Sequence, residues 1–258
     1  MANRDNTASL SEADELARAR ATMFDVVQEK TDAQEMQVAV FVYEAPLRIW
    51  HWFNAAMIVV LCVTGYFIGL APRTVAGEAS DNYIMGYIRF VHFAAGQGLC
   101  YAFLGRIIFA FTGNHFAREL FYIPFWRKDY WDNVWAMVKW YSFSASNARR
   151  FVGHNALARI GMFFMYLIPS IYAMLSGLSL YSEGLGMDHW LSVGLGQPFI
   201  NLHGGSLLVH ALHRFTMWII ISFVMVHIYV AVREEIMGPQ SMISTMVSGW
   251  RMFKGKQG

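Results

Sequence analysis

Two histidines fourteen residues apart, His213 and His227, bracket an otherwise apolar stretch that carries Arg214 as its only charge. At 100° and 1.5 Å per residue of α-helix, that gap returns to within about 40° of its starting direction and climbs about 21 Å. In a membrane helix both imidazoles would face the same way at opposite depths. Imidazoles turned to lipid are costly, so they must point into a bundle toward partners. Iron held in two stacked haems would supply that reason. A hydrogen bond to a neighbouring helix is the competing account of either histidine alone, and the choice rests on partners of matching depth elsewhere in the chain.

The bulk values set the surroundings. Of the 258 residues, 56% are apolar and only 15% charged, with a mean hydropathy of +0.33. Soluble domains carry about a quarter charged residues, so the chain reads as a polytopic membrane protein. The net charge of +2 comes from basic residues scattered between apolar runs, which argues against a nucleic-acid partner. Cys62 and Cys100 both lie inside apolar runs. Two thiols make neither a disulfide framework nor a four-cysteine iron–sulfur site, so they read as packing residues and any metal must rely on histidine.

Residues 1 to about 40 are polar and mixed in charge, a leader expected to be mobile and cytoplasmic, ahead of one domain over 41–258. No basic start runs into an apolar core, so no cleaved signal peptide is expected. Four apolar runs follow, at about 51–71, 84–111, 158–181 and 209–232, each near the twenty or so residues a bilayer demands. The first is introduced by Pro46 and flanked by tryptophans, which suit a helix start and a membrane interface. Pro169 is expected to kink the third. Residues 129–141 are too polar to span and too aromatic for free solution, and read as an interfacial helix. The fold expected is an all-α integral membrane bundle of four transmembrane helices with that additional helix.

Basic residues give the orientation. The Gly-rich 182–208 connection has no Lys or Arg, whereas 112–157 and both tails are rich in them. Both termini and the middle connection are therefore placed in the cytoplasm. His51 then begins the first helix at cytoplasmic depth and His92 begins the second near the outer face. Depth pairs His51 with His227 and His92 with His213. Both new histidines sit in an R-x-x-H spacing, Arg48 to His51 and Arg89 to His92. Each arginine shares its histidine's face one turn nearer water, where a haem carboxylate would lie, and Arg214 can do the same beside His213. Snorkelling is the equally weighted account of any one arginine. Gly96 and Gly65 would let a macrocycle approach the backbone, although small residues also serve helix contacts. His115, His154, His189 and His203 fall at helix ends or in the outer loop, where surface roles are expected. His210 is the alternative outer ligand, but it lies about 100° off the common face of His227. Iron bound by two histidines has no vacant position for oxygen and passes electrons. A proton path through His213 and His227 in a transporter is the rival of a different class.

The segments Tyr43-Glu-Ala-Pro-Leu-Arg-Ile-Trp-His51-Trp52, Thr64-Gly-Tyr-Phe-Ile-Gly69, Met85-Gly-Tyr-Ile-Arg-Phe-Val-His92-Phe93 and Val226-His-Ile-Tyr-Val-Ala-Val-Arg-Glu-Glu235 resemble the b-type cytochrome subunit of membrane-bound nickel–iron hydrogenases. So do Gly113–Phe121, Gly153-His-Asn155 and Ile243–Arg251, and the resemblance covers about 43–252. It implies a bacterial cytochrome b561-like subunit with two haem b, its ligands falling on His51, His92, His213 and His227. It implies a multi-pass protein of the bacterial inner membrane, in a larger hetero-oligomer with the hydrogenase large subunit and chiefly the small one. Electrons from hydrogen would pass from the small subunit's iron–sulfur chain to membrane quinone, with His154, Asn155 or Tyr229 as quinone contacts by analogy. The 182–208 loop, which matches the family less well, is the expected docking face. The same scaffold serving a formate dehydrogenase or similar periplasmic oxidoreductase is the nearest alternative.

Overall fold

The structure is a computed structural model that describes residues 38–70, 82–146, 149–238 and 240–253. The leader up to residue 37, the first connection with Pro72, Arg73, Gly77, Glu78 and Asp81, and the tail lysines Lys254 and Lys256 lie outside the described residues.

Among the described residues four helices are long and apolar enough to cross a membrane: α1 (Ala45–Leu70), α2 (Ile84–Thr112), α4 (Ala156–Glu183) and α6 (Ser206–Met237). They run 26 to 32 residues, more than the twenty or so a bilayer requires, so each extends beyond the hydrocarbon. Large apolar side chains stay uncovered along them, among them Val59, Tyr101, Ile108 and Met225. Water would penalise that surface, and lipid does not.

The tight contact is between α4 and α6, and it is lined with hydroxyls. Ser176 and Ser179 of α4 are fully buried and Thr216 of α6 nearly so. Each hydroxyl donates to its own helix four residues back, to Tyr172, Leu175 and Leu212. Small side chains that satisfy themselves let two backbones approach without exposing polar atoms to lipid.

The sequence placed the irregularity of α4 at Pro169. In the structure Met162–Leu167 form a π-helical segment and Pro169 follows at the start of the next regular stretch. Proline has no N–H to continue the ladder, and the wider turn upstream absorbs the break. The outer connection repeats the device, with a π segment at Ser192–Gly196 ahead of Pro198, which opens α5 (Gln197–Leu202). This Gly-rich stretch is therefore largely helical rather than a loop. It is pinned by Ser192 Oγ donating to the Ser182 carbonyl at 2.9 Å. A side chain at Gly196 would strike the Ser182 hydroxyl.

The polar helix expected at 129–141 is α3 (Lys128–Tyr141). Tyr130, Val134, Met137 and Trp140 line its buried face, packed with Ile123 and Ala156 against the start of α4, while Trp131 and Trp135 point outward. Its end is locked to α6. Trp140 Nε1 donates to Glu234 at 2.7 Å, and the Arg233 guanidinium lies over the rings of Trp140, Tyr141 and Phe143 at 4.5, 5.2 and 4.9 Å.

A two-stranded sheet was not expected from the sequence. Strand β1 (Val38–Phe41) takes in the last residues assigned to the leader and pairs antiparallel with β2 (Trp250–Phe253), which follows α7 (Ile243–Ser248). Gly249 joins α7 to β2 at φ +88°, and a Cβ there would lie 2.6 Å from the Tyr43 carbonyl oxygen, so the position demands glycine. Arg251, buried in β2, donates to the carbonyls of Phe151 and Gly153 at 3.0 and 2.7 Å. Strands too short to alternate clearly give no period-2 signal, which is why sequence reading passed over them.

Replacing Trp140 by Phe keeps the ring and leaves the buried Glu234 carboxylate without its indole donor. We expect a loss of about 1–3 kcal/mol, the range for an orphaned buried acceptor, in detergent unfolding of purified protein; an unchanged midpoint would show that α3 is not held by this bond.

Candidate functional site

The bundle brings the four predicted histidines together as two pairs. His51 of α1 faces His227 of α6 with ring centroids 6.2 Å apart and planes at 53°. His92 of α2 faces His213 of α6 at 6.4 Å and 75°. A first-row metal bound to one nitrogen of each imidazole at about 2 Å leaves the ring centres roughly 6 Å apart. Among the described residues no group of three or more His, Cys, Asp or Glu gathers as it would for a bare metal ion. Histidines in twos are the donor set of a haem iron, whose other four ligands come from the macrocycle.

The outer pair is oriented by hydroxyls that the sequence reading missed. Thr64 Oγ1 lies 2.9 Å from His92 Nδ1 and Ser176 Oγ lies 2.8 Å from His213 Nδ1. The same hydroxyls donate to the Val60 and Tyr172 carbonyls at 2.6 and 2.7 Å. Their protons are thus committed, and their oxygens accept from Nδ1–H. That tautomer leaves the Nε2 lone pair of each ring for a metal. Both hydroxyls come from other helices than the histidines they serve, and a Thr or Ser in an apolar run reads from sequence as ordinary packing.

Two glycines flank this pair. A Cβ on Gly65 would lie 3.2 Å from His92 Cε1, and one on Gly177 3.2 Å from His213 Cε1. Gly65 lies fourteen residues after His51 on a common helical face, one level higher, and the structure sets it against His92. Gly177 was not anticipated, and its place beside Ser176 at outer depth was the one available sign. Gly96 has only Leu61 within reach, at 3.9 Å, and serves helix contact.

The inner pair is held differently. His227 stacks on Phe223 with planes at 19°, and Phe223 stacks on Tyr166, whose hydroxyl donates to buried Asn54 at 3.0 Å. His51 packs edge-on against Trp52. Its Nδ1 is buried with no hydrogen-bond partner among the described residues.

The arginines divide. Arg214 lies over Gly69, where a Cβ would come within 3.1 Å of its guanidinium carbon, and donates to the Gly69 carbonyl at 3.2 Å. Arg48 donates to the Val247 carbonyl, which turns it toward α7. Arg89 is exposed on α2. His210 is exposed and lies 3.0 Å from the Ser206 carbonyl, apart from the outer pair, and His203 stacks on Phe199.

His154 and Asn155 meet in a polar cluster beneath the inner pair, whereas Tyr229 is exposed on α6. His154 Nδ1 lies 2.8 Å from Glu119 and 3.1 Å from the Tyr43 hydroxyl, and its backbone N–H also donates to Glu119. Asn155 caps α4 by accepting from the Ala158 N–H at 2.7 Å and donates to the Tyr141 hydroxyl. Burial pushes the Glu119 carboxyl up, but the hydrogen bonds and charge of His154 outweigh it and hold the group below its ordinary value of 4.5. Burial raises the Tyr43 hydroxyl.

With this geometry in place, comparison with known families decides the affiliation: the model of prokaryotic cytochrome b561 matches residues 42–249. The chain belongs to that family. A relative in Azotobacter vinelandii, a probable Ni/Fe-hydrogenase B-type cytochrome subunit, is 52% identical over 229 residues, covering 88% of this chain and 95% of the relative. One of the same description in Cupriavidus necator is 51% identical over 216 residues, covering 84% and 88%. The probable Ni/Fe-hydrogenase 1 B-type cytochrome subunit of Escherichia coli K12 is 42% identical over 229 residues, covering 88% and 96%. This is a multi-pass membrane cytochrome, and membership makes haem b its cofactor. The paired imidazoles with free Nε2 atoms and the flanking glycines fit such a group.

Thr64→Val and Ser176→Ala should each leave the histidines in place but weaken haem retention about 10- to 100-fold, the usual cost of losing a ligand's supporting hydrogen bond; pyridine haemochrome titration against added haem checks this, and unchanged affinity would refute it. A depressed Glu119 carboxyl adds stability that is full above 4.5 and is lost as pH falls through the lower folded value. Glu119→Gln should therefore flatten the acid limb of a thermal-stability profile.

Proposed function

We propose that this cytochrome carries electrons from the iron–sulfur chain of a periplasmic nickel–iron hydrogenase through two b haems to membrane quinone. One observation carries the reading: α6 presents His213 and His227 on one face about 21 Å apart, and each meets a histidine from a different helix at the spacing of a shared iron. The near-complete match to relatives described as hydrogenase cytochrome subunits supports the choice of donor.

In this reading His92 and His213 hold the outer haem, His51 and His227 the inner one. Bound between two imidazoles, haem supplies one-electron exchange with no open position for oxygen. The protein does the rest. Thr64 and Ser176 fix the tautomers of the outer ligands and raise their basicity. Gly65 and Gly177 leave the ring edges of that pair clear. Arg214 and Arg89 lie toward the outer end as counter-charges for haem carboxylates, whereas Arg48 is taken up by the Val247 carbonyl. Hydrogen oxidation yields two electrons and two protons, and a quinone taking up two of each becomes the quinol, so the stoichiometry closes. His154 and Asn155 lie beneath the inner pair as quinone contacts; Tyr229, exposed on α6, has less to recommend it.

The basic bias of the connections supports a reading with both termini in the cytoplasm of a bacterium and the protein in its inner membrane. The outer connection then faces the periplasm. It carries Met187, Trp190 and Leu202 at 79%, 75% and 81% exposure and no Lys or Arg, a surface suited to docking the small subunit within a larger hetero-oligomer.

In the assembled complex, His92→Ala or His213→Ala should remove the outer haem and abolish hydrogen-dependent quinone reduction, while hydrogen oxidation with a soluble dye persists. Haem content unchanged in these variants would make the histidines structural and sink the conduit reading. His51→Ala or His227→Ala should spare the outer haem and still block the quinone step.

A further inference from the structure

A groove of about 640 Å³ opens between α1 and α2 at the depth of His51, within the size range of small-molecule sites. Its walls are aromatic, with Phe53, Tyr101 and Phe109 among the lining. Gly98 and Gly105 form part of it; a Cβ at Gly105 would meet nothing within 4 Å. At its inner edge stand two donors. The Arg106 side chain, 3% exposed, is sandwiched between the rings of Trp50 and Phe121 at 5.3 Å each. Its Nη2 donates to the Ala117 carbonyl at 2.6 Å. Arg106 Nε and Nη1 and the indole Nε1 of Trp50 are all buried without a hydrogen-bond partner among the described residues.

Unanswered donors in an apolar setting are costly and call for an acceptor. The side chains of an apolar transmembrane helix laid in the groove would not provide one, and its carbonyls could offer only the lone pair left over from their own ladder. A quinone ring would. It is flat, it carries an acceptor oxygen at each end and no donor, and its faces suit aromatic walls. Trp50 also precedes His51 in sequence, which sets the groove beside the inner pair.

We propose that this groove binds the ring of a membrane quinone, whose entry uncovers Trp50 Nε1 and the Arg106 guanidinium so that they donate to its carbonyl oxygens. The assignment rests on the quinone reading above and moves its binding residues from His154, Asn155 and Tyr229 to the α1–α2 face. The isoprenoid tail leaves directly into lipid, since the groove is open on that side. The charge of Arg106 also favours the ring once it has gained electron density.

The test uses the intact hydrogenase complex in native membranes, with a photoactivatable azido-quinone as probe. We expect label on peptides spanning 45–57 and 98–109, displaced by an excess of unlabelled short-chain quinone. Trp50→Phe and Arg106→Lys should raise the KM for short-chain quinone about tenfold, the scale of one lost hydrogen bond. Gly105→Phe, which fills the groove without touching either donor, should abolish labelling even if an Arg106 variant fails to assemble. Reduction of haem by hydrogen, read spectroscopically in each sample, verifies the electron supply. Label confined to other helices, with KM unchanged in Trp50→Phe and Gly105→Phe, would overturn this site and leave the quinone reading intact. Failure of quinone to reoxidise hydrogen-reduced haem in the unmodified complex would overturn that reading instead. Loss of one tightly bound phospholipid per chain in Arg106→Lys, with labelling undisturbed, would make the groove a lipid headgroup site and overturn the proposal.

Discussion

An imidazole inside a bilayer has to be answered by something other than water, and this requirement organises the whole bundle. α6 carries two such groups on one face. It must therefore be approached by two different helices at two depths, α1 at one level and α2 at the other. The fourth helix, α4, then serves as backing. Its serine-lined surface lets α6 come close, and one of those serines reaches across to the ring of His213. Packing and ligand orientation are thus done by the same hydroxyls, which is economical in lipid, where polar atoms without partners cannot be left over.

The two pairs are built to different standards. At the outer pair both Nδ1 atoms meet hydroxyl oxygens whose own protons are spent on backbone carbonyls. Rotation of either ring would break that bond. At the inner pair the restraint is aromatic, a stack from Tyr166 through Phe223 to His227, and the His51 Nδ1 is unanswered among the described residues. The inner end is also where unpartnered donors of Trp50 and Arg106 collect. Under the proposed function, a histidine pair held by stacking and surrounded by open hydrogen-bonding capacity would suit the end that exchanges electrons with a mobile acceptor.

Beneath that end β1 and β2 form a stay. β1 and β2 pair across the molecule, Arg251 reaches from β2 to the 151–153 backbone, and the following residue, His154, is bonded to Glu119 and Tyr43. The Arg233 cage closes the other side by clamping α3. Arginines in this cytochrome act largely through geometry, stacking on rings and tying carbonyls. That explains why Arg48, expected from its R-x-x-H spacing to face a haem carboxylate, is bonded to the Val247 carbonyl instead. A three-residue spacing fixes the face from which a side chain departs, and a side chain as long as arginine's can still reach toward another segment.

What the sequence determined by itself were the quantities that follow from period and solvent. Apolar length gave the four spans, and helical pitch with the alternating direction of the spans gave the histidine couples, because an α-helix converts residue number into angle and height with little freedom. Side chains whose roles depend on a neighbouring helix could not be read that way. Thr64, Ser176, Gly177, Trp50 and Arg106 look like ordinary members of apolar runs until tertiary packing sets them against His92, His213 and the α1–α2 groove. The same holds for β1 and β2, whose pairing joins residues more than two hundred apart and leaves no local pattern to detect. Periodicity specifies a face, and only the assembled helices decide what that face meets.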